Sequence, residues 1–404
     1  MKDILLKNIK REKYLQKIEP FINKNLIKVL VGQRRVGKSF LLLQIQDLIL
    51  TKNPNANLIF IDKEKYEFDS VKNYRDLIKY VESKKVNEGF NYLFIDEIQE
   101  IEEFEKALRN FQSNENFDIY CTGSNANLLS GELATTLSGR HLEIKVNSLS
   151  WKEFLLFNQL PDDDESLDKY ISFGGLPFLV NLVKNENVVY EYLRNIYNTI
   201  IYKDIVARFN VRNTIFLENL IKYIADNTGN LFSAKKISDY LKSQKLNISP
   251  QIVLTYLEYL QQSFLVHIVK RVDIFGKRIF EVGEKFYFED WGIKNAIIGF
   301  KKQYINQIIE NIVFHHLKVS DHEIFVGRSG EKEVDFVCER SGIKTYIQTA
   351  YLIPDDSVKE REFGNLLSIK DNWRKIVVSL DKYPIKYYEG IEHMNLRDFL
   401  NSFE

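Results

Sequence analysis

The chain has 404 residues, 45% hydrophobic and 28% charged, a globular composition long enough for roughly two to four domains. Its 56 basic and 56 acidic residues cancel, which excludes a global field that would draw it onto nucleic acid or an anionic membrane; any such contact must be local. Only Cys121 and Cys338 occur, the N-terminal stretch is charged throughout, and apolar runs such as Phe40 to Leu43 fall far short of the ~20 residues a membrane span requires. These features predict a cytoplasmic protein with no disulfides and no membrane partner.

From Leu26 to Asn147 short β-branched runs alternate with helical patterns, the mark of a largely parallel sheet covered by helices. Five strands are predicted: Ile27 to Val31, Leu58 to Asp62, Tyr92 to Ile95, Ile119 to Thr122 and His141 to Val146. Leu41, Leu42, Ile45, Leu48 and Ile49 recur at helical spacing, as do Tyr74, Leu77, Ile78 and Val81. From Leu149 to about Asn227 helices dominate, broken by the acidic loop Asp162 to Glu165 and by Gly174-Gly175, and the segment reads as a helical lid. Residues from Leu231 to Phe288 read helix, helix, hairpin, the order of a winged helix-turn-helix, with the hairpin turning at Gly276. A helix from Ile305 to Lys318 then precedes strands Glu323 to Val326, Glu333 to Cys338, Thr345 to Ile347 and Ile376 to Leu380, a second α/β domain.

Gly32-Gln33-Arg34-Arg35-Val36-Gly37-Lys38-Ser39-Phe40 carries the phosphate-loop pattern G-x-x-x-x-G-K-[ST] directly after a predicted strand and at the start of a predicted helix. Such a loop wraps backbone N–H groups around phosphates, and its glycines permit the close approach and unusual dihedrals this needs. Lys38 is expected to bridge the β- and γ-phosphates of ATP, and Ser39 to place its hydroxyl on Mg²⁺. Tyr92 to Ile95 delivers Asp96 and Glu97 at its C-terminal end, where ligands bind in open α/β sheets. Asp96 is read as the second Mg²⁺-binding group and Glu97 as the general base. Ser124 and Asn125, after the fourth strand, are read as sensors of the γ-phosphate or lytic water, or as a simple turn. Arg140 is read either as an arginine finger acting on a neighbouring subunit or as a solvated arginine.

GQRRVGKS, YLFIDEIQ, TGSNANLLSGEL, LSGRHLEIKVNSLSWKEF, GGLPFLV, YNTIIYKDIVARF, EKFYFEDWGIKNA and VGRSGEKEVDFVCE follow one another along nearly the whole chain. In this order they resemble a family of bacterial and archaeal AAA-type P-loop ATPases whose C-terminal region is a domain of unknown function. The resemblance implies an additional-strand (ASCE) P-loop core at 1–147, a helical lid at 148–228, a winged helix at 229–300 and a restriction-endonuclease-like α/β domain at 301–404. That last domain is similar to PD-(D/E)xK nucleases, a likeness of fold that does not by itself transfer activity.

A PD-(D/E)xK site needs a helix carboxylate, a strand aspartate and an acid-x-Lys on the next strand, so that Mg²⁺ sits beside a lysine. Glu310 and Asp335 fit the first two, but Gln348 and Ala350 stand where the acid and lysine belong, which predicts an inactive site unless another lysine such as Lys344 substitutes. Between Leu231 and Lys285 nine basic residues face five acidic ones, including Lys270-Arg271 and Lys277-Arg278, an excess suited to DNA phosphates. The helix after Pro250 carries no Arg or Lys to read bases, so backbone contact to DNA and packing on a protein both remain open. The function predicted is Mg-ATP hydrolysis coupled to a C-terminal module that engages DNA. The alternatives are a slow nucleotide-gated switch acting through protein partners and an ATP-dependent nuclease; a second copy of the chain in a homo-oligomer and an unknown protein are candidate partners, and Arg194 and Arg208 are further candidate sensing arginines.

Overall fold

The computed structural model describes residues 9–129, 139–182, 185–243, 245–274 and 279–403. The chain divides into two compact units, the first made of residues 1–147 with Gln262–Phe264, the second of residues 148–261 and 265–404.

In the first unit α1 (Glu12–Ile18) precedes strand β1 (Ile27–Val31), helix α2 (Lys38–Lys52), β2 (Asn57–Asp62), α3 (Tyr74–Glu82), β3 (Asn91–Asp96), α4 (Phe104–Gln112), β4 (Phe117–Gly123) and β5 (His141–Lys145). The sheet is fully parallel in the order β2-β3-β4-β1-β5, with β4 inserted between β1 and β3. Alternate residues of the strands (Ile27, Val29, Val31; Leu93, Ile95; Ile119, Cys121) bury one face of the sheet with Leu77 and Val81 of α3 and Ala107, Leu108 and Phe111 of α4. The near-continuous apolar strands follow from helices covering such a sheet on both faces. The five expected strands are all present, each within two residues of its predicted limits.

The second unit opens with α5 (Trp151–Asn158), α6 (Asp164–Phe173), α7 (Glu186–Thr199), a π-helical stretch Ile200–Ala207 and α8 (Thr214–Asp226). Then come α9 (Ala234–Ser243), α10 (Pro250–Gln262), the hairpin β6 (Val266–Asp273) and β7 (Ile279–Phe288), and α11 (Trp291–Ile298). Helix α12 (Ile305–Val319) precedes β8 (Glu323–Ser329), β9 (Lys332–Arg340), β10 (Ile343–Thr349), α13 (Asp356–Leu367), β11 (Arg374–Ser379), β12 (Lys386–Tyr388), β13 (Ile391–Asn395) and α14 (Leu396–Ser402). Eight strands form one mixed sheet in the order β12-β13-β11-β10-β9-β8-β6-β7. Helix α12, buried at 11 of its 15 residues, packs on β7, β8, β9 and β10.

That sheet corrects one expectation. The hairpin assigned to a winged helix at 229–300 is not separate from the α/β domain at 301–404, because Arg271, Val272 and Asp273 of β6 pair in parallel with Val326, Gly327 and Arg328 of β8. The backbone groups that a free wing would leave open at its edge are used to continue the sheet. The hairpin is also longer than expected, since β7 runs on through Lys285-Phe286-Tyr287-Phe288. Gly276, Lys277 and Arg278, read as the turn and part of a DNA contact, lie outside the described residues, as do Leu137 and Ser138 before Arg140.

Candidate nucleotide site

The C-terminal ends of β1, β3 and β4 are adjacent in the sheet, and the loops that leave them carry the predicted chemistry. Between β1 and α2 the backbone takes positive φ at Arg35 (70°) and at Gly37 (98°), the cap residue of α2. Gly32 has no room for a side chain, because a Cβ there would stand 2.2 Å from the Val146 carbonyl oxygen. The glycines therefore serve two different needs: a left-handed turn at Gly37 and a close backbone approach at Gly32. Lys38 is buried and its ammonium donates to the carbonyls of Gly32 and Gln33, both at 2.9 Å, so it closes over the loop it belongs to. The Gln33 amide is buried with neither its nitrogen nor its oxygen hydrogen-bonded, and Arg34 reaches Glu64 at 3.2 Å.

At the end of β3, Asp96 and Glu97 are both buried. Burial raises the Asp96 carboxyl above its ordinary range, opposed by hydrogen bonds from Thr122 and Ser39 and reinforced by the charges of Glu97 and Asp62. Ser39 and Asp96, the two groups expected to hold Mg²⁺, thus stand close enough for the hydroxyl to favour the charged carboxylate, and Asp62 stands beside Asp96 in register. Glu97 sits in the left-handed region (φ 54°), its N–H donates to the Thr122 hydroxyl at 2.9 Å, and Gln99 donates to its carboxylate. Thr122 also donates to Asp96. One hydroxyl on β4 therefore holds both acidic residues at the end of β3, Asp96 and the following Glu97. The signal available for Thr122 was its position one strand over and two residues before Ser124. Ser124 is buried at the end of β4 and Asn125 is half-buried just beyond it.

Arg140 is not brought to this site. It is exposed and precedes β5, where its carbonyl accepts the N–H of Ile27 (3.0 Å) and the side-chain amide of Gln112 (2.8 Å). Ile27 begins β1 and Gly32 follows its end, so Arg140 lies at the opposite edge of the sheet from the loop, roughly 16 Å away along the strand at ~3.3 Å per residue.

Glu310 and Asp335, expected from the nuclease pattern, come together in a different way. Glu310 on α12 and Asp335 on β9 share one ammonium, that of Lys285 on β7, at 2.8 and 3.0 Å, and Glu333 joins at 2.8 Å. Tyr287 donates to Glu310 at 2.7 Å, and Asp335 accepts both the N–H and the hydroxyl of Thr349 at 2.9 Å. Burial opposes charge on Lys285, which is 1% exposed, but Glu310, Tyr287, Asp335 and Glu333 together hold the ammonium well above its ordinary range. Gln348 turns away to accept the Asp335 N–H (3.3 Å) and to donate to Glu362 (3.1 Å). Lys344 lies four residues from Gln348 along β10, roughly 13 Å in an extended strand. The three carboxylates are bridged by one buried lysine, and no group of three or more His, Cys, Asp or Glu suited to a metal ion occurs among the described residues.

Comparison with known proteins accords with the phosphate-loop geometry. Residues 24–155 match the family described as an AAA domain, and residues 164–304 match a domain of unknown function. An uncharacterized protein of Haemophilus influenzae is 36% identical over 97% of this chain and 98% of its own length. An uncharacterized protein of Methanocaldococcus jannaschii is 31% identical over 98% of this chain and 91% of its own. The chain belongs to their family of AAA-domain proteins. Among solved structures, Aeropyrum pernix ORC1 in complex with DNA aligns over 71% of this chain and 91% of its own, at 13% identity and a TM-score of 0.35. The Thermotoga maritima RuvB Holliday junction branch migration motor aligns over 68% and 93%, at 16% identity and a TM-score of 0.35. No helix among the described residues is long and apolar enough to cross a membrane, and both cysteines are free and buried.

Proposed function

We propose that this protein is a cytoplasmic AAA-type ATPase that binds and hydrolyses Mg-ATP at the β1–α2 loop and passes its nucleotide state to a C-terminal unit that engages DNA. The observation that carries the reading is the convergence of Lys38, Ser39, Asp96, Glu97 and Thr122 at the adjacent ends of β1, β3 and β4. The residues suit the group they would hold: a left-handed glycine turn, a lysine that folds onto its own loop, and a hydroxyl paired with a buried carboxylate. Gly32, Gln33, Arg34, Arg35, Val36, Gly37, Lys38, Ser39 and Phe40 would cradle the phosphates, and Ser39 and Asp96 would hold Mg²⁺, which when bound supplies positive charge at the phosphoryl oxygens. Glu97 would accept the proton of the attacking water, with Ser124 and Asn125 positioned to sense the terminal phosphate. Arg140, at the far edge of its own sheet, could serve as a finger only for a second copy of the chain.

Steady-state ATP hydrolysis with and without single- and double-stranded DNA tests this. Lys38→Ala is expected to lose nucleotide binding and Glu97→Gln to keep binding while losing turnover, and DNA to stimulate the wild type. Unchanged nucleotide affinity in Lys38→Ala removes the central claim. Arg140→Ala is expected to lower turnover only at protein concentrations where copies associate; a strictly monomeric, fully active enzyme rules the finger out.

A second reading has its own observation. Helix α10, in the place of a recognition helix, exposes Ile252 (42%) and Leu254 (47%) and has no basic residue along Pro250–Gln262. That surface suits a protein partner better than DNA, and slow turnover indifferent to DNA would favour a nucleotide-gated switch.

A further inference from the structure

Arg11 lies outside every motif of the chain, yet it is 3% exposed and its guanidinium is directed at the phosphate loop. One nitrogen, Nη1, donates to the carbonyl of Val36 at 3.1 Å and to the carbonyl of Asn147 at 3.0 Å. The guanidinium carbon stands 4.5 Å from the centre of the Tyr14 ring, and the Tyr14 hydroxyl accepts the Asn147 N–H at 3.1 Å. The Arg11 N–H donates to the side chain of Gln44 on α2 (3.0 Å), whose amide donates in turn to the carbonyl of Ile9 (2.9 Å). Val146 completes the arrangement: its N–H donates to Val31 at 2.7 Å, and its carbonyl is the group that leaves Gly32 no room for a Cβ.

A loop that directs N–H groups at a phosphate turns carbonyls the other way, and a buried carbonyl needs a donor. The donor for Val36, the residue before Gly37 and Lys38, is a guanidinium, which is charged at every accessible pH and brings no lone pair to compete. A buried guanidinium costs several kcal/mol to desolvate unless it is well bonded, which makes a purely space-filling role at this position unfavourable. Asn147, the last residue before the chain enters its second unit, has both its backbone polar groups held from the same segment, the carbonyl by Arg11 and the N–H by Tyr14.

We propose that Arg11 is a positioning residue for the phosphate loop, and that by sharing one nitrogen between Val36 and Asn147 it ties the loop to the peptide through which the chain leaves the nucleotide-binding unit. The inference rests on the phosphate-site reading above and deepens it. Filling of the loop then alters the hold on Asn147, and strain at Asn147 alters affinity in the loop.

The test is titration of the full-length chain with a fluorescent ADP analogue and Mg²⁺, at a temperature where circular dichroism shows each variant folded. Arg11→Met is expected to weaken binding about tenfold or more, the scale of one lost charge-assisted hydrogen bond in the site's framework. Arg11→Lys is expected to recover most of that loss, since one ammonium can donate to both carbonyls, as Nη1 does. A role in stability alone would lower the melting temperature and leave the affinity of the folded fraction unchanged. Arg11→Met with wild-type affinity, beside a Lys38→Ala that has lost binding, overturns the inference and leaves the phosphate site standing. Wild-type affinity in Lys38→Ala is the separate result that removes the phosphate site and the inference together. If Arg11→Met does not fold, amide exchange on the wild type decides: Mg-ADP is expected to slow exchange at Asn147 together with residues 34–38, and protection confined to 34–38 overturns the tie.

Discussion

Thr122 is a single hydroxyl between two acidic residues. It donates to Asp96 and accepts the Glu97 N–H, so it fixes where the Mg²⁺-side carboxylate points and how the backbone turns at the proposed base. Thr122→Val keeps the shape and removes both bonds, leaving a buried N–H without its acceptor at a cost of roughly 1–3 kcal/mol. The expected result is a fall in kcat of about tenfold or more with a smaller change in nucleotide affinity. An unchanged kcat would show that the left-handed turn at Glu97 holds without it. The phosphate loop and the Asp96-Glu97 pair were legible in sequence because each is a local pattern set by a strand end. Thr122 and Arg11 were not, since each acts on a residue that only the fold brings near.

At the scale of elements, the motifs GGLPF and EDWGIKNA turn out to be two halves of one joint. Trp291 donates its indole N–H to the Tyr170 carbonyl at 2.7 Å, and Asn295 donates to the carbonyls of Ile171 and Ser172 at 3.2 and 2.9 Å. Helix α11 thus supplies donors to the last turn of α6, where the Tyr170 carbonyl also accepts the N–H of the cap residue Gly174 at 3.0 Å. Asp290 caps α11 through the Ile293 N–H and also accepts the Gly175 N–H at 2.7 Å. The glycines at this joint are there for space: a Cβ on Gly292 would stand 1.9 Å from the Phe173 carbonyl oxygen. Gly292→Ala should therefore cost roughly 2–4 kcal/mol, read as a lowered urea midpoint. Gly364→Ala, in helix α13 where a Cβ meets nothing nearer than 3.9 Å, is the control and should be neutral or slightly stabilising. Equal midpoints for the two variants would mean that the joint relaxes freely.

At the scale of the whole molecule, the second unit is drawn together by a buried polar network. Ser148 hydrogen-bonds His315 (3.0 Å), its N–H donates to Glu289 (3.0 Å), and His267 and Lys318 bond the other Glu289 oxygen, both at 2.6 Å. Burial pushes the His315 imidazole down to about 4; the Glu289 and Glu153 charges oppose this, while Lys318 and His316 add to it. An unfolded chain takes up that proton near pH 6.5, whereas the folded one refuses it until about pH 4. The His315 contribution to stability is thus fully present above pH 6.5 and is lost as the pH falls, by up to about 1.4 kcal/mol per unit. Glu289, held low by Lys318 and His267 against the burial that would raise it, adds a loss of the same sign only below about pH 4.5. Asp290 and Glu310, pushed up to about 7 by burial, act in the opposite sense over this range, so the test is the difference: the urea midpoint of the wild type relative to His315→Gln should fall from pH 7 to pH 5, and a difference that does not change with pH would remove His315 from the account.

The sequence alone determined the five-stranded core, the phosphate loop and its acidic partners, because strand periodicity and glycine punctuation act within a few residues. It also marked Gln348 and Ala350 as departures from a nuclease pattern. The tertiary structure decided that the hairpin β6–β7 extends the C-terminal sheet, that Lys285 from that hairpin bridges Glu310 and Asp335, and that Arg140 stands at the far edge from the phosphate loop. The physical reason is common to all three. A strand edge, a buried charge and a long cation each need a partner whose position in the chain no local pattern encodes, and only packing selects it.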